Sequence, residues 1–198
     1  MTTLQSTLDH VDSNIDGSVE RLFDLLKIES ISTDPAYKPS CTEAAKWLAS
    51  EQSSLGFDAS VRETEGHPMV VGHHPGPDGA PHVLFYGHYD VQPVDPIELW
   101  DTPPFEPSIA DVDGSKHIRA RGASDDKGQL MTFVEACRAW KETGDELPCA
   151  VSILFEGEEE SGSPSLDAFL NENGEELKAD ITLYESVAMC GSSHGNAL

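Results

Sequence analysis

The sequence has 198 residues, of which 38% are hydrophobic, so it is long enough to bury the core of one large domain or two small ones. Its 36 acidic residues outnumber 12 lysines and arginines and give a net charge of −24, which excludes binding driven by attraction to nucleic acid or anionic lipid. We therefore expect a globular protein that binds neither nucleic acid nor membrane.

Helix-like and strand-like stretches alternate along the chain, an order typical of an α/β domain. The first predicted elements are a helix over 15–26 with Ser13 or Asn14 as its cap, a helix over 42–55 stopped at Gly56, and strands over 69–72 and 82–86. An irregular segment over 92–128 follows. The remaining predicted elements are a helix over 128–144, a strand over 150–155, an acidic loop, a helix over 166–170 and a strand over 180–184. The polar clusters follow the strands, where α/β sheets form ligand sites.

The compartment is predicted from what the sequence lacks. The opening residues contain neither the basic segment nor the apolar stretch of a secretory signal, and no later apolar run approaches the ~20 residues of a membrane helix. We expect a cytoplasmic protein. The four cysteines, Cys41, Cys137, Cys149 and Cys190, include no C-x-x-C pair, so we expect them to be reduced and structural.

The first polar cluster is Gly87-His88-Tyr89-Asp90, directly after a predicted strand. Side chains alternate along a strand, so His88 and Asp90 should point to the same side. A carboxylate beside a histidine commonly orients the ring of a metal ligand. The pair could also have an ordinary structural or surface role.

The second cluster runs from Arg121 to Gly128 and places Asp125 and Asp126 between two glycines before a predicted helix. A tight turn there could aim a carboxylate at a site, or an aspartate could simply cap the helix. A calcium loop at Asp111-Val112-Asp113-Gly114 is unlike an EF-hand, because the glycine comes too early.

The third cluster, from Glu156 to Ser163, has four glutamates within five residues. An exposed charged loop is one interpretation, but the carboxylates repel one another unless they are solvated, paired or neutralised by a cation. Together, the three clusters supply one histidine and several carboxylates, a set suited to Zn²⁺. An aspartate that bridges two ions would give a site for metal-assisted hydrolysis.

The motifs resemble those of the M20 metallopeptidases over roughly residues 15–183. The resembling segments are GHYDVQP at 87–93, LWDTPPFEP at 99–107, RARGASDDKGQ at 119–129 and FEGEEESGS at 155–163. The wording of the second and fourth segments is most similar to the carnosinase-like dipeptidase branch. The resemblance implies a three-layer α/β/α catalytic domain of the zinc-peptidase type.

The resemblance also implies roles for individual residues. His88 and Glu160 match metal ligands, Asp125 matches the carboxylate that bridges two Zn²⁺ ions, and Co²⁺ or Mn²⁺ could replace zinc. Asp90 matches the acid that orients His88, and Glu159 matches the general base that takes a proton from the attacking water. Glu156 and Glu158 are left to the loop, and Asp126 falls where the family varies.

The family pattern continues beyond what this sequence contains. Family members carry an inserted lid or dimerisation domain, a further acidic ligand and a histidine ligand near the C-terminus. Glu185 is near the place of that acid but out of register, and His194 lies in a polar tail. The hypothesis is that residues 1–183 are the N-terminal part of a catalytic domain without its lid, that 184–198 are a divergent tail, and that the chain is a fragment of a longer, homodimeric protein.

The predicted activity is hydrolysis of dipeptides or short peptides. An N-acyl-amino-acid deacylase of the same family is one alternative, since lid residues select the substrate. A catalytically incomplete metal-binding or interaction module is another, because each metal would lack one ligand. We expect the isolated chain to be weakly active or inactive.

Overall fold

Five α-helices and seven β-strands form the part of the chain that the computed structural model describes, residues 4–144 and 146–184. The helices are α1 (Leu4–Ser13), α2 (Ile15–Leu26), α3 (Lys38–Ser54), α4 (Lys127–Gly144) and α5 (Leu166–Asn173). The strands are β1 (Asp58–Arg62), β2 (Met69–His74), β3 (His82–His88), β4 (Ser108–Val112), β5 (Ser115–Arg119), β6 (Ala150–Glu156) and β7 (Ile181–Tyr184).

The main sheet is mixed, with the strand order β1-β2-β6-β3-β7. β1 and β2 pair antiparallel, as do β2 and β6, whereas β3 runs parallel to both β6 and β7. The register between the central strands pairs His88 with Glu156, the last residues of β3 and β6. The carboxyl ends of these strands therefore meet at one edge of the sheet.

Helices cover both faces of this sheet. One face carries the larger core, in which residues of α2, α3 and α4 pack against β6 side chains such as Ile153 and Phe155. The other face carries a smaller core, where Phe169 of α5 packs against Met69, Val71 and Leu154. Successive residues of β6 thus enter opposite cores, as the two-residue period of a strand requires. The predicted three-layer α/β/α architecture is confirmed.

The predicted long elements are confirmed, with shifts at their ends. Helix α2 begins and ends where predicted, but Asn14 at its N-cap donates its amide to the His10 carbonyl at 2.9 Å and so closes α1 instead. Helix α3 begins four residues before Thr42, because Pro39 is tolerated in a first turn, whose N–H groups need no partner. Strand β3 continues past Gly87, which makes His88 its last residue.

Four elements, α1, β1, β4 and β5, lie where no regular structure was predicted. The predicted irregular segment contains a hairpin of β4 and β5, whose turn residues Asp113 and Gly114 have φ angles of 53° and 83°. An Asp-Gly pair is a strong hairpin signal, and the sequence interpretation tested it only as a calcium loop. Helix α1, in which Leu4, Leu8 and Val11 recur at helical spacing, and the five-residue strand β1 were also not predicted.

No helix among the described residues is both long enough and apolar enough to cross a membrane. Residues 185–198 lie outside the described ranges, and so do Glu185 and His194. Strand β7 includes Tyr184, and the predicted division between residues 1–183 and 184–198 stays a prediction.

Candidate active site

The carboxyl ends of β3 and β6 bring together His88, Asp90, Asp125 and Glu159, four of the five predicted site residues. The Nε2 atom of His88 lies 3.2 Å from Oδ1 of Asp125 and 3.9 Å from Oε2 of Glu159. Its Nδ1 atom lies 3.3 Å from Oδ1 of Asp90 and 3.2 Å from the Asp90 carbonyl oxygen. The expected same-side placement of His88 and Asp90 is therefore present.

The environment of His88 is dominated by negative charge. Burial by itself lowers the pKa of this imidazole, but the interaction with Asp90 and the charges of Asp126 and Glu159 outweigh burial and raise the pKa to about 9. The surrounding carboxylates therefore favour a positive charge at this ring, either a bound proton or, on the neutral ring, a metal ion.

Asp90 has a second set of contacts that the sequence did not predict. Its carboxylate is fully buried, and it accepts the backbone N–H of Glu159 at 3.2 Å and of Glu160 at 3.1 Å. These two residues begin the short 3-10 helix Glu159–Ser161. One side chain therefore orients the His88 ring and also holds the turn that carries the two glutamates.

Asp126 has a structural place that the sequence interpretation left unassigned. Its side chain is buried, and Oδ2 accepts the backbone N–H of His88 at 3.0 Å. A Cβ atom at Gly87 would lie only 3.0 Å from the same oxygen, so glycine leaves room for this contact. The paired aspartates thus divide between a buried contact at Asp126 and an exposed carboxylate at Asp125, whose side chain is 52% exposed.

Glu160 lies at the same edge but its carboxylate has another partner. Oε2 accepts a hydrogen bond of 2.6 Å from the side-chain amide of Gln92, a residue that the sequence interpretation missed. Burial raises the pKa of Glu160, and the negative charges of Asp125 and Asp90 raise it further. Gln92 stands two residues after Asp90 in the GHYDVQP segment, which is the signal that could have found it.

The assignment of Glu156 to the loop is wrong, whereas Glu158 does lie in the turn that follows β6, although it is buried. Glu156 is the last residue of β6, fully buried, and its Oε1 accepts the hydroxyls of Tyr86 and Ser163. Burial raises the pKa of its carboxyl group. Glu158 is also buried, with its carboxylate bonded to backbone N–H groups. The turn folds back onto the sheet edge, so alternate glutamates face inward.

Lys127 is another buried charged residue, and the sequence did not predict its role. Its Nζ atom donates to the carbonyls of Leu25 at 3.1 Å and Ile28 at 2.7 Å. Burial lowers the pKa of this lysine to about 7. It ties the end of α2 to the first turn of α4, directly after the turn that holds Asp125 and Asp126.

The donor types at this edge fit zinc, which binds imidazole nitrogen and carboxylate oxygen. His88 presents Nε2 toward the exposed Asp125 carboxylate, while Asp90 occupies the other ring nitrogen, as metal-binding histidines require. Within residues 4–144 and 146–184, however, no group of three or more His, Cys, Asp or Glu side chains could hold a metal ion as it stands. Glu160, one of the predicted ligands, instead accepts a hydrogen bond from Gln92, so its carboxylate is not directed at His88.

Comparison with known proteins places this chain in a family. The chain is 33% identical to the Cys-Gly metallodipeptidase dug1 of Schizosaccharomyces pombe, over 96% of this chain and 42% of that protein. It is 28% identical to the Beta-Ala-His dipeptidase of Rattus norvegicus, over 83% of this chain and 35% of that protein. The solved structure of the dipeptidase Dug1p from Saccharomyces cerevisiae matches with a TM-score of 0.84 at 29% identity, over 93% of this chain and 41% of that one.

The mixed sheet with helices on both faces is the fold of the solved dipeptidase Dug1p, and the family model that matches the chain is one of peptidases. Within that class, the chain belongs to peptidase family M20/M25/M40, whose family model matches residues 84–192, more than half of the chain. The chain spans about two fifths of the length of the relatives that it matches.

Proposed function

We propose that this chain contributes the catalytic residues of a metal-dependent dipeptidase, an enzyme that cleaves the peptide bond of a dipeptide with water. The arrangement around His88 carries the proposal. Its Nε2 faces carboxylate oxygens of Asp125 and Glu159 at 3.2 and 3.9 Å, and its Nδ1 is occupied by Asp90. Membership of the family and the activities named for the relatives support the same class of reaction.

Zinc is the proposed cofactor, which His88, Asp125 and Glu160 would hold, and Asp125 would be the carboxylate shared by a two-ion site. When bound, zinc polarises a substrate carbonyl and lowers the pKa of water. Asp125 supports the bridging role because its side chain is 52% exposed and adjacent to His88. Co²⁺ or Mn²⁺ could occupy the same nitrogen and oxygen donors.

Glu159 is the proposed general base. Its side chain is 47% exposed, so a water molecule can reach its carboxylate beside His88. The carboxylate accepts a proton from the attacking water and then donates that proton to the amine nitrogen that leaves when the C–N bond breaks. Asp90 supports both steps without exchanging a proton, because it holds the His88 ring and the backbone of Glu159.

The test uses the protein encoded by the complete reading frame that contains this sequence. We expect it to hydrolyse Cys-Gly and β-Ala-His, to lose activity in EDTA and to regain activity with Zn²⁺. Activity that EDTA does not affect would contradict the metal-dependent reaction. Hydrolysis of N-acetyl amino acids with no cleavage of dipeptides would replace the dipeptidase by a deacylase.

The 198-residue chain by itself gives a second measurement. We expect it to bind zinc and to hydrolyse dipeptides slowly or not at all, because the described residues gather no complete set of metal ligands. Two tightly bound ions with rapid turnover would contradict this expectation. A homodimeric state and a cytoplasmic location of the whole protein stay predictions.

A further inference from the structure

Glu158 is a buried carboxylate in the turn that carries Glu159 and Glu160. Its side chain accepts two backbone N–H groups from separate segments, that of His67 at 2.8 Å on Oε1 and that of Ser165 at 3.0 Å on Oε2. The residue is 2% exposed. A buried carboxylate that accepts two N–H groups is a strong, directional anchor, because bonds to a charged acceptor are about twice as strong as neutral ones.

The backbone carbonyl of Glu158 also stabilises this turn. Its carbonyl oxygen accepts the N–H of Ser161 at 3.0 Å and of Ser163 at 2.8 Å, and also the Ser161 hydroxyl at 3.1 Å. These bonds close the short helix Glu159–Ser161 onto the residue that precedes it. Any displacement of Glu158 is therefore transmitted to Glu159 and Glu160.

The segment 64–68 that receives Glu158 is itself held firmly. The Nε2–H of His67 donates to the Ser32 carbonyl at 2.9 Å, and the Tyr89 hydroxyl donates to the Pro68 carbonyl. A Cβ atom at Gly66 would lie 1.5 Å from Oε1 of Glu158, so the carboxylate occupies the space that any side chain at position 66 would need. Segment 64–68 thus provides a fixed support with a fitted place for this carboxylate.

We propose that Glu158 is a positioning residue that sets where the Glu159 and Glu160 carboxylates lie relative to His88. This role rests on the proposed function, in which Glu159 is the base and Glu160 a metal ligand. Glu158 holds the turn through the backbone N–H groups of His67, in segment 64–68, and of Ser165. Asp90 holds the same turn through the N–H groups of Glu159 and Glu160. The two buried carboxylates thus hold the turn through different hydrogen bonds.

The first test compares Glu158→Gln with Glu172→Gln, the same chemical change at an exposed position on α5. The glutamine keeps one acceptor oxygen and presents an NH₂ group to the other backbone N–H, so the anchor is lost on one side. We expect zinc affinity of the 198-residue chain to fall about 10–100-fold in Glu158→Gln, the range typical of residues that orient metal ligands, and to stay unchanged in Glu172→Gln.

Amide hydrogen exchange separates positioning from a general loss of stability. We expect the N–H groups of Glu159 and Glu160 to exchange faster in Glu158→Gln, although its side chain bonds neither group, while amides of the central strands keep their protection. Unchanged exchange at both amides together with unchanged zinc affinity would overturn the proposal. Faster exchange in all elements would also overturn it, because the role would then be general stability.

A double-mutant cycle guards against a variant that fails to fold. Gly66→Ala places a methyl group where the Glu158 carboxylate lies, and Gly66 has no positive φ angle that would strain alanine. We expect Gly66→Ala to weaken zinc binding in the wild-type background and to add little in the Glu158→Ala background, where only the Ser165 hydroxyl, 3.2 Å from the added Cβ, stays close. Additive effects would contradict the fitted contact.

The zinc measurements depend on the proposed function, whereas the hydrogen-exchange measurement does not. If the chain binds no zinc at all, that result counts against the proposed function. The exchange rates of the Glu159 and Glu160 amides still decide whether Glu158 positions the turn. If zinc binds and dipeptides are cleaved but Glu158→Gln changes neither affinity nor exchange, only the positioning role fails.

Discussion

Carboxylates are used differently in the helical layer and at the carboxyl edge of the sheet. In the helical layer, Glu135 accepts two hydrogen bonds from the Arg21 guanidinium, at 2.7 and 2.6 Å, and Glu51 accepts one from the Arg138 guanidinium at 2.6 Å. At the edge, Asp90 and Glu158 accept backbone N–H groups instead. The first arrangement neutralises the negative charge with arginine, and the second leaves it available to attract a cation.

The pKa shifts of two glutamates express the same difference. Burial raises the pKa of Glu135, but the bonds from Arg21 and Ser18 outweigh burial and leave the pKa below its ordinary value. Burial also raises the pKa of Glu156, and there the hydroxyls of Tyr86 and Ser163 do not compensate, so the pKa stays raised. Charged partners therefore decide whether a buried carboxylate stabilises the fold or retains its affinity for a cation or proton.

The largest effect at the edge is expected for Glu159→Ala in the protein of the complete reading frame. If Glu159 is the base, as proposed, its removal should lower kcat for dipeptides by about 10²–10⁴-fold, because the attacking water then loses its proton acceptor. Zinc stoichiometry, measured by metal analysis after dialysis, should stay the same. Normal turnover in this variant would refute the assignment of the base.

Asp90→Asn should weaken zinc binding by about 10–100-fold, because the amide cannot accept every N–H that the carboxylate accepts. Isothermal titration with Zn²⁺ measures the effect. Glu135→Gln in the helical layer is the matched control and should leave zinc affinity unchanged. Equal loss of affinity in both variants would remove the distinction between the two regions.

Glu135→Gln should instead lower the free energy of unfolding by about 1–2 kcal/mol, since Arg21 loses a charged partner that is only partly exposed to water. Because the folded-state pKa of Glu135 is lowered, its contribution is present above the unfolded value of 4.5 and is lost as the pH falls through the folded value. Urea unfolding at neutral and acidic pH should show a smaller acid dependence in the variant than in wild type.

Glu156→Gln should have the smallest effect and the opposite sign. The raised pKa means that the folded state binds more protons than the unfolded chain above pH 4.5, so this group makes stability fall as the pH rises through that window. At pH 7 in EDTA, the uncharged glutamine should stabilise the protein by up to about 1 kcal/mol. A loss of stability equal to that of Glu135→Gln would show that the two regions do not differ.

Much of the architecture could be predicted because its signals are local. The apolar period over residues 15–26 and the run over 150–155 each identify an element without reference to the rest of the chain. His88 and Asp90 could be found for the same reason, since they follow a recognisable strand. The hairpin turn at Asp113 and Gly114 is an equally local signal, because an Asp-Gly pair by itself favours a two-residue turn.

The remaining site residues depend on contacts between distant segments. Lys127 bonds to Leu25 from 102 residues away, and Glu158 bonds to His67 from 91 residues away. No spacing within FEGEEESGS distinguishes the buried Glu156 and Glu158 from the exposed Glu159. Their burial depends on which segment packs against the turn.

The sequence by itself therefore determined the α/β class, the order of the motifs and the residues that follow the strands, because periodicity and chain order are properties of neighbouring residues. Only the tertiary structure decided which carboxylates are buried, which N–H groups they accept and which stay open to solvent. Burial and hydrogen bonding at this edge arise where segments 64–68, 88–92, 125–127 and 156–165 meet in space, and that meeting exists only in the folded chain.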